Sequence, residues 1–248
     1  MKTIEDVGIR VVKPGECLSR GWQVFGENWP LYIGIALVLV VISLLFVINW
    51  FIFGPLVVGL SYLILYQLRG GRPEFGMISK GFSKFVPAMV IGLIFMFPTA
   101  LDTIFRLGVM AIDISQGMNP NAEPGMIFLV TRVAGIFMSL FVLACAVVFA
   151  IFLSMAFPIL ADNDLPLLDT LRLSFEAGKK NAGGLFLLLL LKGAMILAGL
   201  MLCCVGVVVA IPLIYIMDAI AYTQIFGLDD VRESAPPTPG AYDFGAVR

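Results

Sequence analysis

Long apolar runs alternate along this chain with short polar stretches, and the run lengths suit lipid better than a water-soluble core. A membrane helix needs about 20 mostly apolar residues, and the pattern predicts six of them. The first run, Pro30 to Leu68, is broken once at Ile48-Asn49-Trp50, with Gly54-Pro55 just after. It reads as a helical hairpin, Leu31–Ile48 followed by Phe51–Leu68, ended by Arg69-Gly70-Gly71-Arg72-Pro73. A third span is expected over 86–106, with Pro98 as a kink. Residues 113–124 are polar and rich in turn formers, as in a loop. The fourth span lies within 127–160, a run longer than one bilayer crossing, so its helix must tilt or project. After a polar stretch from Asp162 to Asn181 come a fifth span, 183–201, and a sixth, 205–226. The pattern predicts an all-α fold, a polytopic membrane helical bundle forming one domain over 14–227. Residues 1–13 make a cytoplasmic N-terminal tail, and the Pro-rich residues 228–248 a disordered cytoplasmic one.

A second pattern overlies the first. Three amphipathic, basic segments each run directly into a pair of spans: Leu18 to Trp29, Ile78 to Phe85 and Leu171 to Asn181. Each places a small residue before an aromatic: Gly21-Trp22, Gly81-Phe82 and Ser174-Phe175. Such segments suit the headgroup layer, with aromatics among acyl tails and Lys/Arg among phosphates. The expected anchors are Trp22, Phe25, Trp29, Phe82, Phe85 and Phe175, with Lys179 and Lys180. The first and third units agree further, since Gln67 follows Pro55 by twelve positions and Gln224 follows Pro212 by the same interval. The six spans thus read as three hairpins in a parallel repeat, each preceded by an amphipathic interfacial helix, with the pseudo-axis along the membrane normal.

Composition agrees with lipid as the solvent. Hydrophobic residues make up 60% of the chain and charged ones 13%, and the mean hydropathy is +1.01. Soluble domains carry about 25% charged residues. The first 29 residues are too polar for a signal peptide, so the first span is expected to act as an uncleaved insertion signal. Lys and Arg fall in the N-terminal segment, in the second-to-third and fourth-to-fifth connections, and in the tail. By the positive-inside rule this distribution fits six spans with both ends cytoplasmic. Five spans would require a re-entrant hairpin. A net charge of −1 excludes a nucleic-acid partner that relies on a concentrated basic patch.

Little in the chain suggests covalent chemistry. There is no histidine, which excludes His catalysis and His metal sites, and no Walker loop, HExxH, GxSxG or CxxC motif appears. Cys17, Cys145, Cys203 and Cys204 read as small apolar filler. No cofactor, metal or catalytic residue is expected. Ionisable residues at membrane depth are the exception. Lys192 lies about 14 Å into the fifth span and Asp218 about 12 Å from the end of the sixth, at 1.5 Å per residue. On antiparallel neighbours they should meet as an ion pair, either a structural one or a gate or relay. Asp102 and Arg106, spaced i, i+4 near the outer end of the third span, should pair locally.

Several strings resemble a family of uncharacterised bacterial integral membrane proteins. They are Gly54-Pro55 to Gly59, Leu68 to Pro73, Phe75 to Phe82, Phe157 to Asp162, Leu171 to Asn181 and Cys204 to Tyr222. The C-terminal half also resembles the membrane domain fused to some glycerophosphoryl diester phosphodiesterases. The resemblance covers most of 14–227 and implies a six-helix protein of a bacterial inner membrane, with no catalytic residue to carry over. Two functions follow as expectations. One is a non-enzymatic protein that organises membrane lipids, anionic headgroups at the cytoplasmic face above all, or binds a membrane protein or a second copy of itself. The other is a small transporter or channel using Lys192 and Asp218.

Overall fold

The structure is a computed structural model that describes residues 11–117, 126–202 and 205–227. Every regular element among them is helical. The N-terminal residues before Val11, most of the 113–124 loop, Cys203 and Cys204, and the 228–248 tail lie outside the described residues. Five helices are long and apolar enough to cross a membrane, or six if the bent first pair counts as one span. The protein is a multi-pass membrane protein with an all-α bundle.

The chain order is threefold: amphipathic segment, then hairpin. Helix α1 (Pro14–Glu27) precedes α2 (Trp29–Leu44) and α3 (Phe46–Leu68); a 3-10 helix, η1 (Phe75–Lys84), precedes α4 (Phe85–Gly117) and α5 (Met126–Phe152). A short helix, α6 (Ala156–Asp162), intervenes before α7 (Leu167–Lys180), which precedes α8 (Ala182–Met201) and α9 (Val205–Ile225). Local sequence sets several of these boundaries. Pro14 occupies the first turn of α1, where a missing N–H costs nothing. Asn28 and Pro30 end α1 and start α2, and the chain turns by 98° between them.

The packing is threefold as well. Each leading segment docks on the return helix of the unit before it: η1 on α3, α7 on the end of α5, and α1 on the last return helix, α9. The outgoing helices follow the same rule, with α4 on α3, α8 on α5 and α2 on α9. The three units therefore close into a ring in which the first locks against the third. Helix α6 breaks the symmetry. Its residues Ala156 to Ala161 are all buried, and it packs on α3, α4, α7 and α9, filling the centre at the end that carries the amphipathic segments.

Two boundaries differ from the sequence-based expectation, the break of the first hairpin and the end of the third span. The hairpin break falls at Leu45, whose dihedrals leave the helical region; Asn49 sits in the first turn of α3 and donates its N–H to the Leu45 carbonyl. At 16 residues, α2 is about 24 Å long, short of the roughly 30 Å hydrocarbon core. Helix α4 runs through Pro98 and past residue 106 to Gly117, so 113–117 are helix rather than loop. The fourth span lies within its expected run, and 128–162 still forms one apolar stretch, but inside it residues 153–155 form a turn that sets α6 apart from α5. A run of apolar residues fixes the solvent around a helix, but it does not mark where the backbone turns.

Candidate functional site

At the segment end, each small residue turns inward and each following aromatic turns out. Gly21 is buried against Leu213, Ile216 and Met217 of α9, within 3.5–3.8 Å of where a Cβ would stand. Gly81 lies so close to α3 that a Cβ would overlap the Pro55 carbonyl and the Gly59 backbone. Ser174 is buried and donates its hydroxyl to the Phe152 carbonyl (2.8 Å), capping the end of α5. The residues that follow, Trp22, Phe82 and Phe175, are 49%, 40% and 49% exposed. Small residues let backbones approach closely, and this approach aims the next side chain away from the bundle.

Trp29 and Phe85 are exposed too, and Lys179 and Lys180 are exposed at the end of α7. Phe25 is not an anchor, contrary to the expectation. It is 8% exposed and stacked on Tyr32, with Trp22 edge-on, each of those ring centroids 5.9 Å from that of Phe25. The sharp bend after α1 folds α2 back over Phe25, so the side chain joins the core.

The two repeat-matched glutamines hold α1 at its opposite ends. Gln224 accepts the Lys13 backbone N–H at the start of α1 (3.0 Å), and its amide reaches Glu16 (3.5 Å). Gln67 donates to the Val24 carbonyl and Glu27 (both 3.0 Å) at the far end, and accepts from the Tyr32 hydroxyl (2.7 Å). The segment end also carries a charged cluster around α6. Arg69 pairs with Asp162, and Asp162 accepts from the buried Tyr222 hydroxyl (2.7 Å). Lys84 donates to the carbonyls of Leu160 and Asn163 and to Asp164 (each 2.8 Å), satisfying orphan acceptors at the end of α6. That ammonium holds the exposed Asp164 carboxyl below its ordinary range. Neither Asp162 nor Lys84 stood out in the sequence, since each is one charge among several in a polar connection.

Deeper in the bundle, Lys192 donates to Asp218, joining α8 and α9 at mid-helix. Lys192 is about nine-tenths buried. The pair stands on the wall of a cavity of about 330 Å³, with Tyr215, Ser61 and Ser154 as the other polar residues around it. The rest of the lining is apolar and comes from α3, α4, α5, α6, α8 and α9, with Phe157 and Pro158 of α6 on the side of the segment end. Tyr62 and Tyr222 lie away from the cavity: Tyr62 meets Lys80 (2.9 Å) and Tyr222 meets Asp162.

At the opposite end, Arg106 donates to Asp102 (2.6 Å) and to Ser139 of α5 (3.0 Å), while Arg132 donates to Asp113 (2.7 Å) and covers the Phe128 ring. Arg106, Asp113, Arg132 and Ser139 line a second, more polar cleft between α4 and α5. The sequence placed Arg106 and Asp102 together, but its expected loop over 113–124 hid the partnership of Arg132 with Asp113.

No family model, curated protein or solved structure matches the chain. Among the described residues, no three His, Cys, Asp or Glu side chains gather as a metal site would require. The geometry offers outward-facing aromatics at one end and a mostly apolar cavity with a charged pair in the middle.

Proposed function

We propose that this protein is a non-enzymatic organiser of membrane lipid. It would sit in a bacterial inner membrane with both termini cytoplasmic and bind anionic headgroups around its ring of amphipathic segments. The observation that carries this reading is the common docking mode of the three segments, each buried through a small residue with the next aromatic outward. Basic residues accompany the aromatic that follows each small residue: Arg20 near Trp22, Lys80 near Phe82, and Arg172, Lys179 and Lys180 near Phe175. Aromatics at the acyl boundary and cations at the phosphates are what an anionic leaflet attracts. The loose resemblance to bacterial six-helix membrane proteins, and to the membrane domain of glycerophosphoryl diester phosphodiesterases, agrees with this placement.

The test is lipid enrichment. Fluorescent phosphatidylglycerol and phosphatidylcholine are compared as energy-transfer acceptors from tryptophan in nanodiscs of mixed composition. The wild type should enrich phosphatidylglycerol, and Lys179→Ala/Lys180→Ala should reduce the enrichment by about 1 kcal/mol per charge, roughly fivefold each. Equal transfer to both lipids in the wild type would remove the proposal.

A second reading, a small transporter, is favoured by the cavity beside Lys192 and Asp218. Flux through proteoliposomes that Lys192→Met abolishes would support it.

A further inference from the structure

The Lys192–Asp218 pair is incompletely satisfied. An ammonium has three donors and a carboxylate two acceptor oxygens, yet among the described residues Lys192 makes one bond, to a single oxygen of Asp218. Both residues line the cavity, and apart from Ser61, Ser154 and Tyr215 the rest of its wall is apolar. Unpaired donors and acceptors of charged groups are costly where water is scarce. The cavity volume, about 330 Å³, falls at the lower end of small-molecule sites.

Two residues of the cavity lining, Ala146 of α5 and Ile196 of α8, are exposed. Toward the segment end the cavity is bounded by the buried helix α6. A ligand therefore enters from lipid, between α5 and α8, and must itself be lipophilic. Its polar group must accept from Lys192 and donate to the free oxygen of Asp218. It must also be neutral, because the pair already balances its own charge and a third charge at this depth would be uncompensated.

We infer that this cavity is a binding site for a neutral single-chain lipid whose head is a hydroxyl or an amide, seated with its chain in the cavity and its head on Lys192 and Asp218. This site is separate from the interfacial ring and does not rest on its role.

The test uses a long-chain fatty alcohol carrying a diazirine in its chain, added to the protein in phosphatidylcholine nanodiscs, photolysed and mapped by mass spectrometry. Adducts should concentrate on cavity residues such as Phe95, Ala150 and Ile196. Excess hexadecanol should displace the probe, whereas hexadecane should not. Gly193→Leu should cut the labelling about tenfold or more, because a Cβ at Gly193 meets no atom within 4 Å and the larger side chain has open space to fill. Ala150→Leu obstructs the same cavity from α5 and gives an independent reading. The double variant Lys192→Met/Asp218→Leu should keep adducts in the cavity but lose the preference of alcohol over alkane. Adducts spread evenly over the lipid-facing surface of α4 and α5, or labelling unchanged by both filling variants, would overturn the site. Displacement by hexadecanoate but not hexadecanol, or a preference for alcohol that survives in the double variant, would overturn the neutral head.

Discussion

Helices α3 and α5 are both return helices of their hairpins, yet they live in different surroundings. In the spanning stretch of α3, 61% of the residues are buried in protein; in that of α5 the figure is 0%, although α5 is the more apolar of the two. Helix α3 has η1, α4, α6 and α9 around it, and its inward positions carry Gly54, Gly59, Ser61 and Gln67. Helix α5 shows Leu129, Val133, Phe137, Leu140 and Leu143 to its surroundings, each more than half exposed. In lipid, apolar surface gains nothing from being covered by protein, so packing relies on close backbone approach and hydrogen bonds. High hydropathy therefore marks the helix that faces lipid, and small or polar positions mark the one that is packed.

That contrast can be broken most forcefully at glycines. Gly81→Leu would drive a side chain into the Pro55 carbonyl and should cost about 3 kcal/mol or more, seen as loss of monodisperse protein in detergent. Gly108→Leu on α4, with no atom within 4 Å of its Cβ position, should melt within a degree or two of wild type. Equal damage from the two would mean that the outer hairpin, the ends of α4 and α5 remote from the amphipathic segments, is packed as tightly as the docked segments.

The buried pair comes next. Lys192→Met leaves an uncompensated Asp218 and should destabilise by about 3–5 kcal/mol, whereas Lys192→Met/Asp218→Leu should recover most of that loss. Thermal unfolding in one detergent gives the comparison. A double variant as unstable as the single one would show that the pair does more than neutralise itself.

Smaller effects follow from the polar contacts. Gln67→Leu strands the Val24 carbonyl and the Tyr32 hydroxyl and should cost about 1–2 kcal/mol. On the outer hairpin, Ser139→Ala removes one exposed contact to Arg106 and should stay within about 0.5 kcal/mol. Denaturant titration distinguishes them.

The smallest effect is at Asp164. Its carboxyl is held low by Lys84, so the interaction is fully present above the ordinary aspartate range, near 3.9, and is lost as pH falls through the lowered folded value. Nuclear magnetic resonance of labelled aspartate should place Asp164 below that range and move it up in Lys84→Met. The same titration in both proteins would show that the pair is not formed.

The sequence carried much of this contrast, but unevenly. Run lengths revealed the hairpins, because lipid demands about twenty apolar residues whatever the packing. Counting residues from the helix ends placed Lys192 level with Asp218, since the rise per residue is fixed. The matched spacing of Gln67 and Gln224 pointed to equivalent positions, and both are used to hold α1. Hidden were features set by tertiary geometry: the burial of Phe25 under Tyr32, the central helix α6 within an unbroken apolar run, and the cavity that Lys192 and Asp218 face. Nothing local to Phe25 separates it from Trp22. Only the turn after α1 decides which of the two is covered.

The central claim is that the three units close into a ring, with α1 of the first unit seated on α9 of the last. It is tested most directly by disulfide formation between Gly21→Cys and Met217→Cys, in a background whose native cysteines are replaced, using intact membranes and a mild oxidant. The Cβ position at Gly21 lies 3.5 Å from Met217 Cγ, within the reach a disulfide requires. The account predicts near-complete cross-linking, with none for Gly21→Cys paired with Gly108→Cys on the outer hairpin. Failure of the first pair to cross-link while the protein remains folded would contradict the closed ring.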